Sequence, residues 1–150
     1  MANKLLRKII IIDPRLVKKL SAVTGCSNSR QLKIIKYNYH LDGDRLNGDW
    51  DQGNCSIEKN ASYLDFLLYK RGGSPLYPWG PLYDVIRDRG YVQDPNKRYV
   101  EIGIGRNGDY YLADGRHRLI IAQDLGIRIP VEVIYIHTQY QGVFDDRKGI

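Results

Sequence analysis

The sequence predicts a single domain of mixed α/β class with a small mixed sheet, and three observations support this. The chain has 150 residues, a length that suits one domain. Its hydrophobic content of 43% is ordinary for a folded protein. Its last third reads as strand, turn, strand, helix and strand. We therefore expect one domain over 1–150, with a motif core at 98–137, a loop at 41–55 and a flexible tail at 139–150.

The N-terminal part begins with a strand pattern. Lys8 to Ile12 is a short apolar run and predicts a buried strand. Asp13 followed by Pro14 is typical of a capped helix start. A helix is therefore expected next, with Leu16, Val17 and Leu20 on one face. Further along, a loop is predicted at 21–30 and a strand at 32–39.

The middle of the chain predicts a loop, a helix, a connector and a second helix. Leu41 to Asn54 is dense in aspartate, asparagine and glycine, which predicts a long loop. A helix is expected from Ser56 or Ile57 to Arg71, before the stop at Gly72-Gly73. Three prolines predict a rigid connector over 74–81. A short helix should follow over 82–89.

The C-terminal third carries the clearest pattern. Val100, Ile102 and Ile104 alternate along a strand predicted at 98–106. Asn107-Gly108 is a preferred pair for a two-residue hairpin turn. The return strand is expected at 109–113, which completes a hairpin at about 99–113. A helix at about 115–125 and a strand at 127–135 follow.

Charge and composition restrict the partners without identifying one. The formal net charge of +6 favours anionic partners such as nucleotides or nucleic acid, although a solvated basic surface would give the same value. No stretch approaches the roughly 20 apolar residues of a membrane span, and the run 9–12 is too short for a signal peptide. We therefore expect a cytoplasmic protein with no membrane partner. Cys26 and Cys55 are expected to be reduced thiols.

The start of the predicted helix at 115–125 is the candidate anion site. Arg116, His117 and Arg118 follow one another where a helix already carries about half a positive charge and several unpaired N–H groups. Folding alone disfavours cations there, whereas a bound phosphate would satisfy them. Asp114 is the expected N-cap, and Gly115 allows a ligand to approach the backbone closely. The alternative is a capped helix whose arginines point into water.

These residues also resemble a known family. The segment Glu101 to Leu119, continuing through Leu125-Gly126 to Val131, is similar to the ParB N-terminal/sulfiredoxin superfamily. The shared pattern is a hairpin, then Asp-Gly-X-(His/Arg)-Arg, a helix rich in Leu and Ala, Gly, and a Pro-Val strand. Ile10 to Pro14 resembles the first strand and turn of that family. Together with this motif, Gly48-Asp49-Trp50-Asp51 resembles a group of uncharacterised ParB-like prokaryotic proteins.

The resemblance implies a compact α/β fold whose motif binds nucleotide phosphates, here through Asp114, Gly115, Arg116, His117 and Arg118. The ligand that we expect at such a motif is ATP or CTP with magnesium. Sulfiredoxins have their reactive cysteine where this chain has Arg116, so sulfinic acid reduction is not expected. ParB partition proteins have a glutamate at that position. The free-serine kinases, with Asp-Gly-His-His-Arg, have the most similar motif.

An acidic segment suggests a second half of the site. Asp42, Asp44, Asp49 and Asp51 fall within ten residues, and carboxylates at this density can bind magnesium. Asp49 and Asp51 are the candidate metal ligands, and either is a candidate base for an attacking hydroxyl. The alternative is a solvated turn capped by aspartates. Trp50 is either an anchor for this loop, which we prefer, or a stacking surface.

Three functions remain open from the sequence. The first is binding of a nucleotide or another phosphate-bearing small molecule, with NTP-dependent phosphotransferase or NTPase activity as its catalytic form. The second is a nucleic-acid-binding module or ParB-like nuclease that uses the basic residues Lys4, Arg7, Lys8, Lys18 and Lys19. The third is a non-catalytic interaction protein whose anion site is structural.

Overall fold

A computed structural model describes residues 8–21, 41–42, 45–52, 56–73 and 79–142. In these residues seven strands form one mixed sheet. The strands are β1 (Lys8–Ile12), β2 (Val17–Leu20), β3 (Leu41–Asp42), β4 (Arg45–Leu46), β5 (Val100–Ile104), β6 (Tyr110–Asp114) and β7 (Ile129–His137). The helices described are α1 (Ala61–Lys70), α2 (Trp79–Arg89) and α3 (Arg116–Leu125), with 3₁₀ turns at Pro14–Leu16 and Ile57–Lys59.

The sheet has the order β2-β6-β5-β7-β4-β3, and β1 also pairs with β7. The β5–β6 and β1–β7 pairs are antiparallel, whereas β7 runs parallel to β5 and β2 runs parallel to β6. Strands β5 and β7 contribute many fully buried aliphatic side chains, and α3 contributes Leu119, Ile121 and Ala122. The three helices contact one another, and α3 also contacts β5. This arrangement confirms the predicted mixed α/β class.

Several predicted elements are confirmed. Strand β1 has the predicted bounds, and α3 spans almost all of 115–125. It ends at Gly126, which has a φ of +68°. The predicted hairpin is also present as β5 and β6. These elements are signalled by local patterns that the tertiary structure did not override.

The hairpin turn differs from the predicted two-residue type. Gly105 and Asp109 are joined by a hydrogen bond from Gly105 N to Asp109 O of 2.9 Å, and Gly108 N donates to Gly105 O at 2.9 Å. Three residues, 106–108, therefore form the turn. Gly108 has a φ of +85°, whereas Asn107 does not have a positive φ. A three-residue loop of this kind needs a left-handed residue only at its last position.

The predicted helix after Asp13 is wrong. Asp13 does cap a turn, because its Oδ1 accepts from Arg15 N at 3.0 Å. However, the turn is only the 3₁₀ segment Pro14–Leu16, and β2 begins immediately after it. Residue Val17 is paired with Tyr110 of β6. Pairing with the sheet thus overrides the local helix-start signal, which carries no information beyond the first turn.

Three middle predictions need correction. The helix expected from Ser56 or Ile57 is interrupted, because the Asn60 side chain caps α1 by accepting from Ser62 N at 2.9 Å. The connector predicted over 74–81 is helical from Trp79, since Pro81 lies in the first turn, where its missing N–H costs nothing. The predicted loop 41–54 contains the antiparallel pair β3–β4.

Other predictions fall outside the described residues. These are the strand at 32–39, residues 22–30 of the predicted loop and residues 143–150 of the predicted tail. Cys26, Cys55, Asp44, Lys4 and Arg7 also lie there.

Candidate functional site

Helix α3 begins at a glycine that no side chain could replace without strain. Gly115 is the N-cap, with a φ of +97° and no side-chain hydrogen bond to the helix. A Cβ added there would lie 3.0 Å from Val100 Cγ2 and 3.1 Å from Val100 Cα. The glycine is therefore required both by its left-handed backbone and by its close approach to β5. The first intrahelical bond, from Leu119 N to Gly115 O, leaves the three preceding N–H groups without an intrahelical partner.

The prediction that Asp114 is the N-cap is wrong. Asp114 is the last residue of β6, and its Oδ1 accepts from Gly115 N at 2.9 Å instead of from an N–H of the helix. Its side chain is 56% exposed. Arg98 Nη1 lies 3.9 Å from Asp114 Oδ2, which adds a loosely paired cation at the start of α3.

Arg118 crosses this helix start. Its Nη1 donates to Arg98 O at 2.6 Å and to Tyr91 OH at 3.3 Å. Its Nη2 lies 3.4 Å from where a Cβ of Gly115 would be. The guanidinium is thus fixed between the segment 91–98 and the N-cap of α3. The hydroxyl of Tyr91 remains neutral, because burial raises its pKa more than Arg118 lowers it.

His117 points to a different neighbour. Its ring is half-buried and lies 4.8 Å from the Trp79 ring on α2. Burial lowers the pKa of His117, and the charge of Arg116 lowers it further, while Asp65 opposes the change. The side chain is therefore neutral near pH 7, which corrects the expectation of three adjacent cations. The side chains of His117 and Arg118 diverge, so an anion would meet backbone N–H groups and arginines instead of a converging triplet.

A cavity adjoins the side chain of Arg118. Its volume is about 360 Å³, and it lies between α2 and the segment that comes after it. The lining residues are Leu82, Val85, Ile86, Arg89, Gly90, Tyr91, Val92, Gln93, Asp94, Lys97 and Arg118. Val85 and Val92 are 51% and 79% exposed, so part of the apolar lining is open to solvent.

The carboxylates of Asp49 and Asp51 are bound by one arginine. The Asp51 side chain is only 2% exposed. Its Oδ2 accepts from Arg106 N at 2.7 Å, and its Oδ1 accepts from Arg106 Nη2 at 2.9 Å. The same Nη2 donates to Gly48 O at 2.9 Å and lies 3.3 Å from Asp49 Oδ1. Hydrogen bonding to Asp51 raises the pKa of Arg106.

Aromatic residues complete this second cluster. Trp50 is fully buried, and its Nε1 donates to Leu46 O at 3.1 Å, which confirms the preferred anchor role. Tyr111 OH donates to Asp51 O at 2.7 Å, and burial, with the charge of Asp51, raises the pKa of Tyr111 to about 12. His137 is also fully buried: its Nδ1 accepts from Gln139 N at 3.0 Å, and its Nε2 lies 2.9 Å from Gly48 O. These contacts fit a ring that donates from Nε2 and accepts at Nδ1.

The two clusters do not form one site. Asp51 contacts Arg106 in the turn before β6, whereas α3 begins after the other end of β6. A five-residue strand spans about 16 Å, so Asp49 and Asp51 lie too far from Gly115 to act on a phosphate bound there. Among the described residues, no group of three histidine, cysteine or acidic side chains is arranged for a metal ion.

The sequence did not indicate Arg106 or a cluster between the helices, whereas His137 is the structural histidine that its isolated position in the sequence predicts. Lys70 Nζ donates to Tyr83 OH at 3.0 Å and to Asp124 Oδ2 at 3.2 Å, and Tyr83 OH donates to the same oxygen at 3.1 Å. The three residues come from α1, α2 and α3. Asn107-Gly108 indicated that Arg106 lies beside a turn, but nothing in the sequence indicated that its partner is the buried Asp51.

Comparisons with known proteins assign no function. No protein-family model, no curated protein and no solved structure matches the chain. Of the helices in the described part of the chain, none combines the length and apolar character that crossing a membrane requires. The case for a function therefore depends on the geometry of the α3 start and the cavity beside it.

Proposed function

We propose that the chain binds a phosphate-bearing small molecule, a nucleotide such as ATP or CTP, at the start of α3. The observation that supports this most is that the N-cap of α3 is Gly115, which offers no side-chain hydrogen bond to the helix, and that the Arg118 guanidinium lies against this glycine. Backbone N–H groups at a helix N-terminus stabilise an anion, and an arginine beside them adds charge-assisted hydrogen bonds. Arg98, just before β5, and Arg116, the first residue of α3, add further positive charge.

Electrostatics at this end of α3 also support the proposal. The first turn contains no acidic residue. Arg116 and Arg118 are close to the positive end of the helix dipole, where each exposed cation costs roughly 0.3–1 kcal/mol. The Asp114 carboxylate offsets part of this, but it accepts from Gly115 N and carries a single charge. A bound phosphate would offset the remainder.

The resemblance of the segment 101–131 to the ParB/sulfiredoxin superfamily supports a nucleotide in particular. Asp114, Gly115, Arg116, His117 and Arg118 are the positions of the phosphate-binding motif in that resemblance. Because the His117 ring lies against Trp79, the groups expected to contact the phosphate are the backbone N–H groups of the first turn together with Arg116 and Arg118.

We extend the proposal to a phosphotransferase or NTPase in which Asp114, and not Asp49 or Asp51, is the magnesium ligand. Magnesium that accompanies a nucleotide needs oxygen ligands beside the phosphates. Asp114 is half-exposed and adjacent to Gly115, whereas Asp51 is buried against Arg106. Magnesium should therefore strengthen nucleotide binding in the wild type and have less effect in Asp114→Asn.

Isothermal titration with ATP and CTP, with and without magnesium, tests the proposal. Arg116→Ala should weaken binding by about ten- to 150-fold, since one lost charge-assisted contact is worth about 1.5–3 kcal/mol. Arg87→Ala on α2 is the matched control: Arg87 is 49% exposed, pairs with Asp84 and Asp88, and should leave binding unchanged. Circular dichroism of each variant verifies the fold. No heat from either nucleotide with the wild-type protein would refute the proposal.

Nucleic-acid binding is the competing function. Lys18 and Lys19 are exposed on β2, next to the exposed Arg15. If these residues bind phosphates of a nucleic acid, a gel shift should weaken steeply with salt and Lys18→Ala/Lys19→Ala should reduce its salt dependence. A shift that survives this double variant but disappears in Arg116→Ala would instead place the nucleic acid at α3.

A further inference from the structure

Strand β1 has one edge that no described strand covers. It pairs antiparallel with β7 over all five of its residues, and among the residues that the structure describes no strand lies on its other side. Pro130 faces Ile11 in this ladder and has no N–H to donate, so these two residues form a pair without mutual hydrogen bonds. Because bonded and non-bonded pairs alternate, Ile10 bonds to β7, whereas the N–H and C=O groups of Ile9 and Ile11 point away from β7.

The side chains of β1 are arranged on two faces of the sheet. Ile10 and Ile12 are 2% and 3% exposed and belong to the core, whereas Ile9 and Ile11 are 40% and 39% exposed on the opposite face. No charged residue, proline or bulge interrupts the run 9–12. Folded proteins usually protect an open strand edge with such a feature, because an unprotected edge pairs with other strands. The open edge of β1 is therefore suited to pairing with a strand of another molecule.

One of the outward groups already has a weak partner. Arg128 Nη2 donates to Ile11 O at 3.4 Å, which is longer than the usual range for such a bond. A carbonyl oxygen has two lone pairs, so Ile11 O can accept a second hydrogen bond. Each copy of the chain can therefore offer two donors and two acceptors along this edge, the N–H and C=O groups of Ile9 and Ile11.

We propose that two copies of this chain form a symmetric dimer by antiparallel pairing of β1 with β1 of the second copy. With Ile10 on the two-fold axis, Ile9 of one copy faces Ile11 of the other, and each outward N–H meets an outward C=O. This register is the one that pairs all five residues of the strand. It also brings the exposed isoleucines of both copies together on one face of the joined sheet. Because the strand is complementary to itself, a second copy fits this edge better than a peptide of unrelated sequence.

Sedimentation equilibrium over about 1–300 µM protein tests the dimer. Ile11→Pro removes an outward N–H and leaves the bonds to β7, so it should weaken the dimer by about 5- to 150-fold through the loss of two hydrogen bonds. Ile9→Lys places a charge on the edge and should weaken the dimer at least about tenfold. Leu64→Lys is the matched control: Leu64 is 54% exposed on α1, outside the sheet, and the same charge there should leave the dimer unchanged. Circular dichroism verifies the fold of each variant.

Amide hydrogen exchange shows whether β1 is the surface that pairs. In the dimeric wild type, the Ile11 amide should exchange at least about tenfold more slowly than in Ile9→Lys, whereas the amides of Ile10 and Ile12 should be protected equally in both. A wild-type protein that is monomeric over the whole concentration range would overturn the proposal. So would a dimer that both edge variants leave unchanged, or one in which the Ile11 amide exchanges as fast as in Ile9→Lys, because another surface would then join the two copies.

Discussion

Replacing Arg106 with methionine tests whether the carboxylates of Asp49 and Asp51 are structural. Arg106 Nε and Nη2 donate to the Asp51 carboxylate, and Nη2 also donates to Gly48 O. Methionine retains the apolar stem and removes every one of these donors. The buried carboxylate of Asp51 then retains only the hydrogen bond from Arg106 N, at 2.7 Å.

The expected loss is set by the burial of the two side chains. Breaking a fully buried ion pair by removing one partner costs about 3–5 kcal/mol of unfolding free energy. The Asp51 side chain is 2% exposed, but that of Arg106 is 24% exposed, so solvent weakens the pair. The remaining backbone bond reduces the loss further. We expect Arg106→Met to cost about 2–4 kcal/mol, or roughly 5–15 °C in Tm.

Urea denaturation in a double-mutant cycle measures this. Asp51→Asn removes the charge that Arg106 neutralises, so Asp51→Asn/Arg106→Met should cost less than the sum of the single variants by about 1–3 kcal/mol. Arg87→Met is the control, because Arg87 forms exposed pairs on α2 and should cost less than about 1 kcal/mol.

Two results would refute this reasoning. One is an Arg106→Met variant as stable as Arg87→Met, which would mean that Asp51 does not depend on Arg106 in the folded state. The other is a gain in Tm when magnesium is added to Arg106→Met but not to Asp51→Asn/Arg106→Met. That gain would restore Asp51 as a metal ligand masked by the arginine.

Three further predictions concern single side chains. Trp50→Ala should cost about 3–5 kcal/mol in urea denaturation because Trp50 is fully buried, and a loss below about 1 kcal/mol would contradict its anchor role. Gly115→Ala should destabilise more than Gly126→Ala: both have a positive φ, but only at Gly115 would the added Cβ press on Val100, at 3.0 Å. Thermal melts of the two variants compare them directly, and equal losses would exclude the close contact. His117 has a folded pKa below its ordinary 6.5, so its contribution to stability is present above about pH 6.5 and is lost as pH falls through the folded value. NMR titration should place that pKa below 6.5, and His117→Gln should flatten this part of the stability profile.

Elements with strong local signals could be predicted from the sequence. The apolar run of β1, the alternation along β5 and the Gly126 stop of α3 each act within a few residues. Trp50 was also predicted correctly as an anchor, since a large aromatic side chain among turn residues has few ways to leave water except by packing on the core. The position of the α3 start was likewise predictable, although the residue that forms its N-cap was not.

The partners of charged side chains were decided by the tertiary structure. Arg106 and Asp51 are 55 residues apart in the sequence. They meet only because the fold brings the turn between β5 and β6 against the segment that contains Asp51. Sheet register also places Asp51 and Gly115 at opposite ends of β6. The local sequence indicates which residues are charged, which segments favour a helix or a strand, and where turns occur. It does not encode distances between segments, because those arise when many weak preferences are satisfied together in one packed arrangement.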